Sequence, residues 1–153
     1  MGAELIVGIL QRYPDRVPDH VVVQPNNQPA LVRRWGWQNG FHLCDDVTVP
    51  GRQRFVVLSF RRATAPRTAS TESVASAEPF ADPAYTGLDL EMAFTFGPAA
   101  VRNPVPEFTR RLRDELTYFE KLPQLGPAAA RRVEMIKAIL NRAAPTKQST
   151  KPS

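Results

Sequence analysis

Apolar residues are densest in Phe55–Phe60, Phe-Val-Val-Leu-Ser-Phe, which Arg52, Arg54, Arg61 and Arg62 bracket. A short continuous run rich in β-branched and aromatic residues predicts a strand buried on both faces. Such a strand needs a neighbour on each side and a layer over each face. The rest of the chain is read as supplying them.

Leu5–Leu10 predicts a first strand, Tyr13–Asp19 a proline-marked loop, and Val21–Val23 a short second strand ended by Pro25. Leu31–Gln38 and Phe41–Val49 then flank Asn39-Gly40. Asn-Gly between two strand-like runs predicts a hairpin, because a type I′ turn needs positive φ at both central residues. A two-residue loop sets Trp37 opposite His42, Trp35 opposite Cys44, Arg34 opposite Asp45 and Arg33 opposite Asp46. Two Arg–Asp cross-strand pairs follow from that register. Pro50-Gly51 suits a type II turn and leads into Phe55–Phe60. Leu88, Leu90, Met92, Phe94 and Phe96 alternate with other residues, the pattern of a half-buried strand.

The pattern then changes period. Phe108, Leu112, Leu116 and Phe119 form a helical stripe within Pro106–Lys121, with Pro106 at the first helical position. Glu115 falls inside the apolar arc, with Arg111 one turn back as its expected partner. Pro127 opens a second helix to about Ala143, and the short connection predicts an antiparallel pair. Ala63–Gly87, rich in Ala, Ser, Thr and Pro, and the basic tail from residue 145 to 153 are expected to be disordered.

These elements predict one α+β domain over residues 1–144. It holds a mostly antiparallel sheet of about six strands, which could curl into a small barrel, with the helix pair packed on one face. No apolar run approaches the length that spans a membrane. Cys44 is the only cysteine, which excludes a disulfide framework and favours an intracellular, reducing compartment such as the cytoplasm. The start has no basic region ahead of its apolar run and is not read as a secretory signal.

The net charge is +5 and the pI about 9.9, which favours a polyanion or an acidic partner. Arg33, Arg34, Trp35 and Trp37 interleave cations with aromatics, the mixture that single-stranded nucleic-acid platforms use. The competing reading makes both tryptophans core residues and pairs both arginines with aspartates. Arg110, Arg111, Arg113, Arg131 and Arg132 offer a second basic surface on the helix pair.

Catalytic chemistry has one cluster, His42 and Cys44, two apart on a strand and so on one face. No nucleophile turn or oxyanion-hole sequence accompanies it. A metal site from His20, His42, Cys44 and an aspartate lacks any repeated ligand spacing, so no metal and no cofactor is expected. The sequence therefore leads to a non-enzymatic assembly subunit that binds a protein partner through its arginine-rich surface. A single-stranded nucleic-acid module using Trp35 and Trp37, with RNA as the polyanion, is the alternative, and a small enzyme centred on Cys44 and His42 a remote third.

Overall fold

A computed structural model describes residues 1–63 and 81–143. Most of the expected disordered insertion and all of the tail lie outside the described residues. The elements are α1 (Ala3–Arg12), β1 (His20–Val23), α2 (Pro29–Gln38), β2 (Phe41–Val49), β3 (Phe55–Arg62), α3 (Leu90–Phe96), α4 (Pro98–Arg102), α5 (Pro106–Glu120) and α6 (Pro127–Ala143). The described residues form two compact units, divided between Ala99 and Ala100.

Among the described residues the first unit is built on an antiparallel sheet of three strands in the order β1-β3-β2, not about six. The strand at its centre contains Phe55–Phe60. Leu58 and Phe60 are fully buried, and Val21 and Leu43 flank Phe60 from either side. Val32 and Trp35 of α2, Ile6 of α1 and Phe94 of α3 pack into the same core. A Cβ on Gly36 would overlap the Phe60 ring, so glycine here lets α2 lie against β3.

Three expected strands are helices. Leu5–Leu10 lies in α1, where Ala3, Ile6, Val7 and Leu10 follow the helical spacing. Leu31–Gln38 lies in α2, which Pro29 opens at its first turn. Gly40, at φ 74°, ends that helix, and Asn39 Nδ2 donates to the Trp35 carbonyl at 2.7 Å. A helix C-terminus and a hairpin both call for Asn-Gly, and the helical demand is the one met here. Leu88–Phe96 gives way to α3 because Asp89 caps it, its Oδ1 accepting from the Met92 N–H at 2.9 Å. The β2–β3 hairpin exists as expected, but Gly51 lacks the positive φ of a type II turn.

The sheet's two edges differ. The Arg62 N–H donates to the Asp19 carbonyl at 2.7 Å, which fixes the phase of the β1–β3 ladder. His20 and Val22 therefore fall at positions whose main-chain groups point away from β3. No other strand pairs with β1 among the described residues. On β2 the outward Leu43 N–H instead meets buried Asp82 Oδ2 at 2.8 Å.

The second unit contains the antiparallel-spaced pair α5 and α6, where Phe108, Leu112, Met135, Ile136 and Ile139 are buried. Glu115, expected to pair with Arg111, is met by Arg132 from α6, with Nη2–Oε2 at 3.1 Å.

Candidate functional site

In open, mostly parallel α/β sheets, ligands bind beyond the carboxyl ends of the strands, at strand-to-helix turns. Such a turn among the described residues is Gln24–Gln28, between β1 and α2. Two bonds pin it to the start of α1. The Asn26 N–H donates to the Met1 carbonyl at 3.0 Å, and Asn27 Oδ1 accepts from the Ala3 N–H at 3.0 Å. Gln28 sits in the left-handed region at φ 43°, ψ 52°, unusual for a residue with a side chain. The side chains of Gln24, Asn26 and Gln28 are exposed. The turn is thus a fixed main-chain frame presenting carboxamides, groups that pair a donor with an acceptor. In the sequence Pro25 marks it, as the end of the Val21–Val23 strand. The signal that could have marked it as a site is four amide side chains in five positions after a valine strand.

The residues singled out from sequence are dispersed. Trp35 is buried, its ring 4.9 Å from Phe41 and edge-on to Phe60 at 6.0 Å, so it offers no stacking face. Arg33 is buried and bound to Asp46 rather than to a phosphate. Trp37 is half-buried against Phe94, and Arg34, exposed, lies over the Phe94 ring at 5.5 Å. The expected basic-aromatic platform was drawn on a strand; on α2, Arg33, Arg34 and Trp37 all meet Phe94, while Trp35 turns into the core.

Cys44 is exposed, not buried opposite Trp35, and its Sγ meets the His42 carbonyl rather than the imidazole. His42 Nδ1 instead lies 3.6 Å from Asp82 Oδ1. His20 Nε2 is 3.0 Å from Ser59 Oγ. No group of three or more metal-ligating side chains occurs among the described residues.

On the helix pair, Arg110, Arg111, Arg113 and Arg131 are exposed. Arg131 reaches Glu134 at 3.4 Å, an exposed pair one turn apart, while Arg132 is half-buried on Glu115. Arg110 and Arg113, three apart on α5, share a face.

Residues 1–142 match the family described as TrmK, tRNA (adenine(22)-N(1))-methyltransferase. The chain belongs to the TrmK family. Solved structures agree on the fold. The chain resembles the Bacillus subtilis M1A22 tRNA methyltransferase TrmK at 21% identity and a TM-score of 0.67, covering 92% of this chain and 60% of that one. A Streptococcus agalactiae protein of the NADB-Rossmann superfamily matches at 20% identity and 0.63, covering 92% and 56%. Streptococcus pneumoniae Sp1610, solved with S-adenosyl-L-methionine, matches at 19% identity and 0.62, with the same coverages. The chain thus spans less than two thirds of the length of these structures. No curated protein matches.

The family overturns the expectation of a non-enzymatic assembly subunit, because TrmK proteins are enzymes. Nothing supports the protein-assembly partner. The enzyme was not legible in the sequence because its strongest features are structural: an apolar strand, helical stripes and prolines.

Proposed function

We propose that this chain serves in methylation of N1 of an adenine in tRNA, and that its own part in that reaction is to hold the RNA. The match of residues 1–142 to the TrmK family carries this reading. The exposed arginines of α5 and α6 suit a phosphate backbone, because a guanidinium forks onto phosphate oxygens and remains charged. Arg110 and Arg113 lead, since Arg132 is engaged by Glu115 and Arg131 by Glu134.

Sp1610 is in complex with S-adenosyl-L-methionine, an adenosine-bearing methyl donor. Doubly wound sheets seat an adenosine-bearing cofactor on a glycine-rich strand–turn–helix, where the backbone comes close to the ligand. The eight glycines include no two that are spaced by a single residue. The Gln24–Gln28 turn between β1 and α2 has none. These residues do not fit that cofactor, and no methyl-transfer step is assigned to them.

Filter binding of the purified chain to tRNA across a salt series tests the reading. Affinity should fall steeply with salt, with a log–log slope that drops by about 0.7–0.9 for each phosphate contact removed. Replacing Arg110 and Arg113 with Ala should lower both affinity and slope. Absence of tRNA binding, or an unchanged slope in the double variant, would refute it.

A further inference from the structure

We infer that Asn26 recognises the adenine to be methylated, with its carboxamide set along the Hoogsteen edge of the base. The inference rests on the proposed role in tRNA adenine methylation and names the residue that selects the base.

Position comes first. Asn26 stands beyond the carboxyl end of β1, and in the Rossmann-type fold that the chain resembles ligands lie beyond the carboxyl ends of the strands. Two asparagines occur together there and do different work. Asn27 spends its Oδ1 on the Ala3 N–H and so ties the turn to α1. Asn26 is held by its main chain alone, through the Met1 carbonyl, which leaves its exposed carboxamide without a described partner. A main chain fixed on both sides gives that side chain a defined origin, so little order is lost when it binds.

Chemistry then selects the edge. A carboxamide pairs one acceptor with one donor. Adenine offers the complementary pair twice, at N6–H with N7 and at N6–H with N1. The second pair would place an N–H on N1 and block the atom that gains the methyl group. The first leaves N1 open, and Asn to N6 and N7 is a recurrent bidentate contact. Guanine presents two acceptors, N7 and O6, on the same edge, so the carboxamide cannot pair with it in this way. The exposed Gln24 and Gln28 carboxamides flank the position with groups of the same class. The base must be out of its stack to be reached.

The test replaces one atom of the RNA. Two tRNAs are compared in equilibrium binding to the full chain, one with adenine at position 22 and one with 7-deazaadenine there, which lacks the N7 acceptor. The natural tRNA should bind about tenfold more tightly, within the range of one bidentate contact. Asn26→Ala should bind both tRNAs equally, at or below the level of the 7-deaza form because the N6–H contact is lost as well, with its thermal midpoint unchanged. Asn27→Ala should lower the midpoint but keep the preference. Equal binding of the two tRNAs by the unmodified chain, or a preference that survives Asn26→Ala, would overturn the inference. If tRNA binding with its Arg110 and Arg113 salt dependence remains in that case, only the base contact is wrong. If no tRNA binds at all, the proposed function itself falls and the inference with it.

Discussion

Arg33 on α2 grips Asp46 on β2 at two points, with Nε–Oδ2 at 2.8 Å and Nη2–Oδ1 at 3.0 Å. Its remaining Nη1 donates to the Phe94 carbonyl of α3 at 2.8 Å. One buried guanidinium thus joins a helix, a strand and the end of a second helix. Gly97, at φ 94°, closes against it: a Cβ there would lie 2.8 Å from Asp46 Oδ2.

Removing one partner of a buried pair leaves the other charged and unsatisfied. Arg33→Ala should therefore destabilise the first unit by about 3–5 kcal/mol. Replacing both partners, Arg33→Met with Asp46→Leu, should recover much of the loss. Urea unfolding followed by tryptophan fluorescence measures both. Equal losses in the single and double variants would mean that the pair does not act as a unit.

Gly40 tests the nature of the α2–β2 connection. A side chain at φ 74° costs about 1–2 kcal/mol. Asn39 has φ −109°, ψ 15°, which any residue adopts, although its side chain bonds the Trp35 carbonyl. Gly40→Ala should therefore cost about 1 kcal/mol, and Gly40→Val more. A type I′ hairpin would instead strain positions 39 and 40 alike. Thermal midpoints of variants at the two positions separate these cases.

Tyr85 is buried and its hydroxyl finds no partner among the described residues. Burial pushes its phenol up, away from ionisation; the nearby Arg33 opposes this and Asp82 and Asp46 reinforce it. The folded value lies above the unfolded one of about 10. The associated stability is thus present at neutral pH and is lost as pH rises past about 10. Tyr85→Phe should be neutral or slightly stabilising at pH 7 and should flatten the alkaline limb of the stability curve. A loss of more than about 1 kcal/mol at pH 7 would reveal a hydrogen bond on that hydroxyl.

Amide exchange distinguishes the two sheet edges. The His20 and Val22 amides should exchange fast, because their N–H groups point away from β3. The Leu43 amide, held by Asp82, should exchange far more slowly. Comparable protection at Val22 and Leu43 would show the β1 edge to be covered.

Much of the architecture was legible in the sequence. Phe55–Phe60 is the central strand, Phe41–Val49 is a strand over those same residues, and both long C-terminal helices start at their prolines. Long stripes and prolines leave one reading each. The short pieces failed because seven to ten residues can satisfy both periods. Leu88–Phe96 alternates cleanly, yet the Asp89 cap and burial of the consecutive Met92, Ala93 and Phe94 make it a helix. The Arg33–Asp46 pairing was anticipated from a hairpin that does not exist. It arises because Arg33 reaches from a helix over the sheet, so the same two residues meet by another route. The Gln24–Gln28 turn was invisible as a site. Its meaning depends on α1 closing against it, a contact between residues 1–3 and 26–27 that no local pattern encodes.

The β1 edge has a consequence for handling the protein. Among the described residues nothing pairs the outward main-chain groups of His20 and Val22, so at high concentration they are a template on which another molecule can lay a strand. Exposed Val22 adds an apolar grip, and no lysine discourages the approach. Two prolines set the limit. Pro18 and Pro25 bracket the segment, and neither can donate to a growing ladder, so any such addition stays a few residues long and should dissolve again on dilution.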